Sequence, residues 1–558
     1  MKAIWFWLCI LFGLMLLSCG LLVPAHLRAV DSGVVLAAGR NGPSVIERGK
    51  ALIGEHRLGA AALYPPAARI GMISGWDRLG EALTNQMAAA PAEQFWGNDL
   101  HAESLFHSIP ADTFGAFIVR SENRLPALEY LRSSSSAAAQ ELLRTRSLQN
   151  LTAFTPSGSA SGQVFDAAVA ETGLLLDGNH LTPAFSDSIL ALALQANRGN
   201  GSQPLEDLLS DFVSLGERFN WDQLTAFVAA IPDAATLHQL ADGARLADDK
   251  LSVLFVAVQM TGRPQAVGRY LAKFNKTGLD DIASSLSYGA DGVTTLVTRD
   301  QRFYRPAWLQ PLLLRNPFGG FYYFTAHGVV QNPWLTLALK WLLYLGAGFL
   351  FATALHIAQP EATELERPLA VRGVHVFREC LFALGFLLMV LLVSEPFLAQ
   401  ERQEGGFAFH LQLPMAGGGM AAGIAGLKQT VMSPIIYLTL LLFFVLQALI
   451  YMACLLKLAE IRRQQVPPRV KLKLLENEEH LFDAGLYLGF VGTIVSLIVA
   501  SLGLVKFSLM AAYSSTSFGI IFVVIFKIFH LRAARRQLVL EAEAEAANAA
   551  QPPAVTVP

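Results

Sequence analysis

The stretch from Ala484 to Phe526 decides the fold class of this chain. It reads AGLYLGFVGTIVSLIVASLGLV, then Lys506, then FSLMAAYSSTSFGIIFVVIF. Each half runs for about 20 residues without a charge, which is long enough for an α-helix to cross a hydrocarbon core of about 30 Å. Two such halves around one lysine predict a membrane hairpin that turns near Lys506.

The composition of the whole chain also favours a membrane protein. Of 558 residues, 53% are hydrophobic and only 15% are charged, whereas soluble domains carry about 25% charged residues. The chain is therefore expected to contact membrane lipid. The net charge of −2 gives no electrostatic support for nucleic-acid binding.

Further apolar segments lie outside the hairpin, over 3–25, 334–357, 380–399 and 433–456. Together with the hairpin they predict about six membrane-spanning helices. Lys340 lies near the start of its segment, and a lysine there can extend its ammonium to the membrane interface.

The first apolar segment has three possible fates. It is longer than the apolar core of about 7–15 residues in a secretory signal peptide, which favours an uncleaved signal anchor. Val23-Pro24-Ala25 loosely fits a cleavage site, and Leu16-Leu17-Ser18-Cys19 resembles a lipoprotein box. Cleavage and lipidation therefore stay open.

The long region over 26–330 has the character of a soluble helical domain. Segments such as QPLEDLLSDFVSLGERF and AATLHQLADGARL place apolar residues at helical spacing, with one buried stripe. Breaker residues separate short helices, so a solenoid-like array is one possibility. The runs over 114–119 and 293–298 are rich in aromatic and β-branched residues and predict short strands. The chain's cysteines, Cys9, Cys19, Cys380 and Cys454, lie outside this region, which excludes a disulfide framework there.

Basic residues in the short loops predict the orientation. Lysine and arginine are frequent over 457–483 and after 526, and they are sparse over 400–432. This pattern predicts that both termini lie in the cytoplasm and that 26–330 lies outside. The expected location is the bacterial inner membrane. The predicted organisation is a signal anchor over 1–25, an extracytoplasmic helical domain over 26–330, a helical hairpin over 331–399, a glycine-rich outer loop over 400–432, a further group of membrane helices over 433–530 and a cytoplasmic tail over 531–558. The fold class is an all-α membrane protein.

The sequence offers no support for an enzyme. It lacks a hydrolase elbow, a phosphate-binding loop and an HExxH motif, and we expect no catalytic residue, metal or cofactor. His101 and His107 are six residues apart, which does not place them on one helical face. Asp99 and Asp177 are interpreted as helix caps or turn residues.

Glu395 is a candidate intramembrane carboxylate. It lies at the outer end of the third apolar segment, and ionisable groups at membrane depth are often functional. The adjacent Pro396 supports the other interpretation, in which the helix simply ends in the interface.

The hairpin contains small and hydroxylated residues that set it apart from other apolar spans. Such residues allow close helix approach or line a polar path. We predict that Gly489, Gly492 and Gly519 serve helix packing. The candidate pore-lining residues are Thr493, Ser515, Thr516 and Ser517.

Two segments of the hairpin resemble the MotA/TolQ/ExbB proton-channel family. LGFVGTIVSLI is similar to the family's second-helix pattern, roughly GLLGTVxGMI, with Gly489, Gly492 and Thr493 at matching positions. AAYSSTSFGII is similar to the family's third-helix pattern, roughly ALxTTAxGL. In the second-helix segment, Ser496 stands where the family has a glycine. The resemblance implies that 433–530 is a proton-channel-like module. It also implies a pore in a homo-oligomer, Thr493 and Thr516 as pore-facing hydroxyls, and a single-span partner subunit that supplies an aspartate.

Two functions remain open from the sequence. The resemblance predicts a proton-channel-like energy-coupling subunit of a cell-envelope complex. The alternative is a membrane-anchored scaffold or sensor whose outer helical domain binds an envelope protein or glycan. The small residues of the hairpin would then serve helix packing alone.

Overall fold

The computed structural model describes residues 2–40, 42–106, 112–157, 159, 161–313, 315, 317–358, 372–397, 434–501 and 509–550. It is about 80% helical with almost no strand, as expected for an all-α membrane protein. The chain divides into two units: residues 29–331 form one, and residues 1–28 together with 332–558 form the other.

The elements follow in chain order. The first helix, α1, covers Lys2–Leu22. The 29–331 unit contains β1 (Ala29–Asp31), α2 (Ser32–Gly39), α3 (Val45–Gly54), α4 (Leu58–Ala61), α5 (Tyr64–Ile70), α6 (Trp76–Ala89), α7 (Glu93–Trp96), α8 (Leu100–Leu105), α9 (Phe114–Ile118), α10 (Ser121–Arg132), α11 (Ala137–Arg144), α12 (Gln163–Asp177), α13 (Pro183–Asn197), α14 (Gln203–Gly216), α15 (Trp221–Val228), α16 (Ala234–Ala247), α17 (Leu251–Thr261), α18 (Pro264–Ser285), α19 (Gly289–Arg299), β2 (Arg302–Tyr304), α20 (Gln310–Leu313) and α21 (Phe318–Gln331). The other unit continues with α22 (Pro333–Ala358), α23 (Arg372–Ser394), α24 (Pro434–Arg463), α25 (Pro468–Asn477), α26 (Glu479–Phe482), α27 (Ala484–Ser501), α28 (Leu509–Ile525) and α29 (Arg532–Ala550), with a π-helical turn over Phe526–Leu531 between the last two.

Membrane-type helices dominate the unit formed by residues 1–28 and 332–558. Among the described residues, five helices are long and apolar enough to span a membrane: Lys2–Leu22, Pro333–Ala358, Val376–Ser394, Ile436–Arg463 and Tyr513–Ala546. The apolar helix over Ala484–Ile498 is shorter, so the predicted sixth span stays a prediction. The predicted turn at Lys506 and the loop over 400–432 lie outside the described residues.

These helices pack in sequence order. Helix α22 packs on α1 and α23, α23 packs on α24, and α28 packs on both α24 and α27. At the end of this bundle, α25 packs on α29, and Phe482 of α26 packs on Phe526 of the π-helical turn. Leu475, Phe482, Phe526 and Leu538 are all buried there. The basic segment over 457–483 therefore shares an apolar core with the C-terminal helix.

A short parallel sheet joins the two ends of the 29–331 unit. Ala29 pairs with Arg302 and Asp31 with Tyr304. The Asp31 carboxylate accepts hydrogen bonds from the Gly33 amide at 2.8 Å and from the Tyr322 hydroxyl. The first and last segments of this unit are thus held together within it.

Helices form the interior of the 29–331 unit. Helix α12 is buried continuously from Phe165 to Leu176, and this stretch includes Asp166 and Glu171 among mainly apolar residues. It packs on α10, α11 and α14, and α14 packs in turn on α16, which packs on α18. Alternate helices therefore stack in a row.

The two predicted strands are wrong. Residues 114–118 form α9 and residues 293–298 lie in α19. The Thr113 hydroxyl accepts a hydrogen bond from the Ala116 amide at 3.4 Å and so caps α9. Strand propensity depends strongly on context, and here helical packing against the central helices overrides it.

Candidate functional site

The predicted pore-facing threonines meet between α27 and α28. The Oγ1 atoms of Thr493 and Thr516 lie 2.6 Å apart. Both Oγ1 atoms also lie within hydrogen-bond distance of the carbonyl oxygen of Gly489, at 3.1 and 3.2 Å, and the two hydroxyl hydrogens satisfy two of these three contacts at a time. Because a hydroxyl both donates and accepts, this pair links the two helices inside a mainly apolar hairpin.

The two predicted pore-lining serines have different surroundings. Ser515 is 1% exposed and its Oγ lies against Gly492. Ser517 is exposed, and its hydroxyl donates to the carbonyl oxygen of Tyr513 at 3.0 Å. Within one chain, the candidate pore residues therefore do not share one surface.

The predicted packing glycines lie where α27 crosses α28. A Cβ atom on Gly489 would lie 2.9 Å from the carbonyl oxygen of Ser515, and one on Gly519 would lie 2.6 Å from the carbonyl oxygen of Gly485. Side chains cannot be accommodated at these distances, so glycine permits the close approach of the two backbones.

Helix α24 adds a buried amide that the sequence reasoning missed. Gln447 is 2% exposed, and its Nε2 donates to the carbonyl oxygen of Gly485 at 2.9 Å. Its Oε1 has no hydrogen-bond partner among the described residues. The available signal was a single amide in an uncharged span, because polar groups are costly at membrane depth.

Glu395 belongs to a buried ionic cluster, which we call the Lys340–Glu395 cluster. Its Oε1 lies 3.5 Å from the Lys340 ammonium, and its Oε2 accepts a hydrogen bond from the Leu27 amide at 2.9 Å. Lys340 donates to the carbonyl oxygen of Ala25 at 2.7 Å and lies 3.3 Å from Nδ1 of His26. Both charged side chains are only 1% exposed.

The Lys340–Glu395 cluster joins three chain segments. Residues 25–27 follow the end of α1, Lys340 lies near the start of α22, and Glu395 follows the end of α23. The Lys340 side chain does not extend to solvent as the sequence suggested, because the carboxylate binds it inside the protein. Antiparallel packing of α22 and α23 brings the start of α22 close to the end of α23. A lysine at the start of one apolar segment and a glutamate at the end of the next was therefore the sequence signal that could have identified the Lys340–Glu395 pair.

The 29–331 unit contains a cavity of about 350 Å³ between α9, α12 and α14. This volume lies at the small end of the range for ligand pockets, about 300–1,000 Å³. Its walls are mainly apolar and include Ile118, Val164 and Val213, and two glutamates, Glu171 and Glu217, also line it. We call this cavity the Glu171 pocket.

The Glu171 carboxyl group is unusual among the acids of this chain. The residue is 1% exposed, and its Oε1 has no hydrogen-bond partner in the described part of the chain. Burial, and to a lesser degree the Glu217 carboxylate, raises the pKa of Glu171 well above its usual value. The sequence reasoning missed this residue, although VFDAAVAETGLLL places a glutamate inside an apolar run.

The acids singled out in the sequence have structural partners. Asp99 caps α8, and it accepts hydrogen bonds from His180 at 3.0 Å and Trp221 at 2.9 Å. Burial raises its pKa, but these hydrogen bonds outweigh burial and hold the pKa well below the usual value. Asp177 accepts a hydrogen bond from the Tyr130 hydroxyl at 2.6 Å. These hydrogen bonds give both carboxylates a structural role, and no catalytic role is needed to explain them.

Metal ligation has no support in the described residues, which contain no group of three or more histidine, cysteine, aspartate or glutamate side chains placed to hold an ion. The hairpin with Gln447 and the Glu171 pocket each contain a buried polar atom without a hydrogen-bond partner among the described residues. No protein-family profile, curated protein or solved structure matches this chain, and membership of the MotA/TolQ/ExbB family stays a prediction.

Proposed function

We propose that this chain is a membrane-anchored sensor or scaffold and that its 29–331 unit is the binding domain. The single observation that supports this most directly is the Glu171 pocket. It combines apolar walls with one buried, unsatisfied carboxyl group, which is the composition expected of a ligand site. In this proposal the unit lies on the extracytoplasmic side of a bacterial inner membrane and both termini are cytoplasmic, because the basic loops favour that orientation.

Blocking the pocket tests this proposal. Val164 lines the pocket and is 44% exposed, so Val164→Trp fills the pocket without replacing a core side chain. Leu246→Trp is the matched control, because Leu246 is also partly exposed, at 38%, and does not line the pocket. In a strain that lacks the gene, we expect Leu246→Trp to complement and Val164→Trp to fail at equal protein levels. Full complementation by both variants would refute the binding role of the pocket.

A second function, proton conduction by an energy-coupling subunit, is supported by the polar interior of the hairpin. Thr493, Thr516 and Gln447 place hydroxyl and amide groups between helices whose side chains are mainly apolar. In this proposal the hairpins of a homo-oligomer surround a pore, and a single-span partner supplies the proton-carrying aspartate. The hydroxyls would then exchange their mutual hydrogen bond for bonds to water or to that aspartate.

Native mass spectrometry of the full chain extracted in lipid nanodiscs separates the two functions. The channel predicts a homo-oligomer with a small partner, and loss of proton flux in Thr493→Val and Thr516→Val but not in Ser18→Ala, since Ser18 is a hydroxyl on α1. A monomer without a partner, or normal flux in both threonine variants, would reject the channel and leave the sensor.

A further inference from the structure

The Oε1 atom of Glu171 has no hydrogen-bond partner among the described residues, and a bound ligand would supply one. A buried polar group without a hydrogen bond is costly, and such groups are rare in folded proteins. The structure makes room for this one: a Cβ atom on Gly216 would lie only 2.5 Å from Oε1 and 2.7 Å from Oε2 of Glu171. Glycine at this position on α14 thus leaves the space that the carboxyl group occupies.

The other residues of the Glu171 pocket limit the chemistry of the ligand. In the described residues no basic side chain lines it, and its two charged positions are both acidic. An anion would therefore meet repulsion, whereas a cation gains an attractive partner. Apolar walls favour a ligand whose remaining atoms are aliphatic or aromatic.

One end of the Glu171 pocket is buried and the other is open to solvent. Glu171 and Ile118 are buried at its inner part, while Val119, Val164 and Glu217 are partly exposed, the Glu217 side chain at 65%. A positively charged ligand would first meet the exposed Glu217 carboxylate, which lies 3.9 Å from the Arg218 guanidinium, and then the buried carboxyl of Glu171. Surface charges of this kind increase association rates more than they increase final affinity.

We propose that the Glu171 pocket binds a small apolar amine in its ammonium form, with the ammonium group against Glu171 and the apolar body against Ile118, Val164 and Val213. This proposal rests on the sensor function and names its ligand class. When the amine binds, the proton that burial retains on the Glu171 carboxyl group passes to solvent, and the ammonium group supplies the hydrogen-bond donors and the opposite charge for the resulting carboxylate.

Three probes with the same apolar body test the proposal. Phenethylamine is cationic, 2-phenylethanol is neutral and 3-phenylpropionate is anionic at neutral pH. Isothermal titration of the full chain in lipid nanodiscs, with empty nanodiscs as reference, measures saturable binding. We expect phenethylamine to bind at least about tenfold more tightly than either of the other probes, because only it pairs with the buried acid.

Variants then assign the binding to the pocket. Glu171→Gln keeps the shape of the side chain and is expected to weaken phenethylamine binding at least about tenfold. Glu217→Gln is expected to slow association with a smaller change in affinity, and Glu129→Gln, at an exposed site outside the pocket, is the matched control with no change. Circular dichroism confirms that each variant is folded.

Three results would overturn the ligand class: equal affinity for the amine and the alcohol, unchanged amine affinity in Glu171→Gln, or no saturable binding at millimolar phenethylamine. If any of these occurs while Val164→Trp still fails to complement, the ligand class falls and the sensor function stands. If Val164→Trp complements fully, the sensor function itself falls.

Discussion

Breaking the Lys340–Glu395 pair from one side should destabilise the membrane-type unit strongly. Lys340→Met removes the ammonium and leaves the Glu395 carboxylate buried, with side chains that are each 1% exposed before the change. A buried charge without its partner is much more costly than a buried pair, because neither water nor an opposite charge compensates it.

The magnitude follows from the geometry. At 3.5 Å two unit charges attract by about 5 kcal/mol at an effective dielectric constant of about 20. Desolvation of the pair offsets much of this, so the pair itself adds little net stability. Removing one partner is expected to cost about 3–5 kcal/mol, whereas replacing both by neutral side chains of similar volume costs little or nothing.

Thermal unfolding in lipid nanodiscs measures these effects. For a unit of this size, a loss of 1 kcal/mol lowers the melting temperature by about 2–4 °C. We expect Lys340→Met and Glu395→Gln each to lower it strongly, and the double variant to recover most of the loss. Lys457→Met is the matched control: Lys457 lies at the same 3.5 Å from Glu460, but the side chains are 28% and 20% exposed, and a pair of that kind contributes about 0–1 kcal/mol.

The double variant decides whether this reasoning holds. If its loss equals the sum of the two single losses, the charges do not interact and the cluster has no role as a pair. If Lys340→Met behaves like Lys457→Met, the carboxylate is not desolvated as the structure indicates.

Three further predictions concern single sites. Because the pKa of Glu171 is raised in the folded protein, folding favours the protonated form of this residue. The free energy of unfolding should therefore decrease as the pH rises above about 4.5, by up to about 1.4 kcal/mol per pH unit, until the pH passes the folded-state pKa. Glu171→Gln should remove this slope in thermal melts recorded across pH, and an unchanged slope would show that another group causes it. Gly519→Ala places a methyl group against a backbone oxygen and should cost about 1–3 kcal/mol in the same assay. Gly346→Ala, which meets only the end of a leucine side chain at 3.2 Å, should cost less, and equal losses would contradict the close helix crossing. Asp222→Ala removes a carboxylate that accepts from the Ala60 amide at 2.7 Å and pairs with Arg57; it should cost about 3–5 kcal/mol, and a loss below 1 kcal/mol in chemical denaturation would refute the buried pair.

Membrane-spanning helices could be predicted from the sequence because the signal is local. A run of about 20 uncharged residues has few alternatives to a spanning helix, since every backbone polar group must be satisfied within the segment. The same holds for the helical character of the 29–331 unit, where segments such as 203–219 place apolar residues at helical spacing and form α14. The strand predictions for 114–119 and 293–298 were wrong because the local composition of these runs favours strands, whereas they pack as helices against neighbouring helices.

The candidate sites depended much more on tertiary structure. The sequence identified Thr493, Thr516 and the glycines of the hairpin, because hydroxylated and small residues stand out in an apolar span. It did not identify Gln447, whose single amide lies in a span that otherwise reads as uniformly apolar. It also identified Glu395 but not its partner, because Lys340 is 55 residues earlier in the chain and the two meet only when α22 and α23 pack.

By itself, the sequence determined that this chain is an all-α membrane protein with a long helical insertion after its first apolar segment, since length, charge and periodicity act over neighbouring residues. Only the tertiary structure decided which charges are paired and which are not. Lys340 and Glu395 neutralise each other in the interior, whereas Glu171 is buried beside a cavity without a basic residue among its described lining. The energy of a charge depends on its burial and on its nearest partner in space, and both are set by the packing of helices that are distant in the chain.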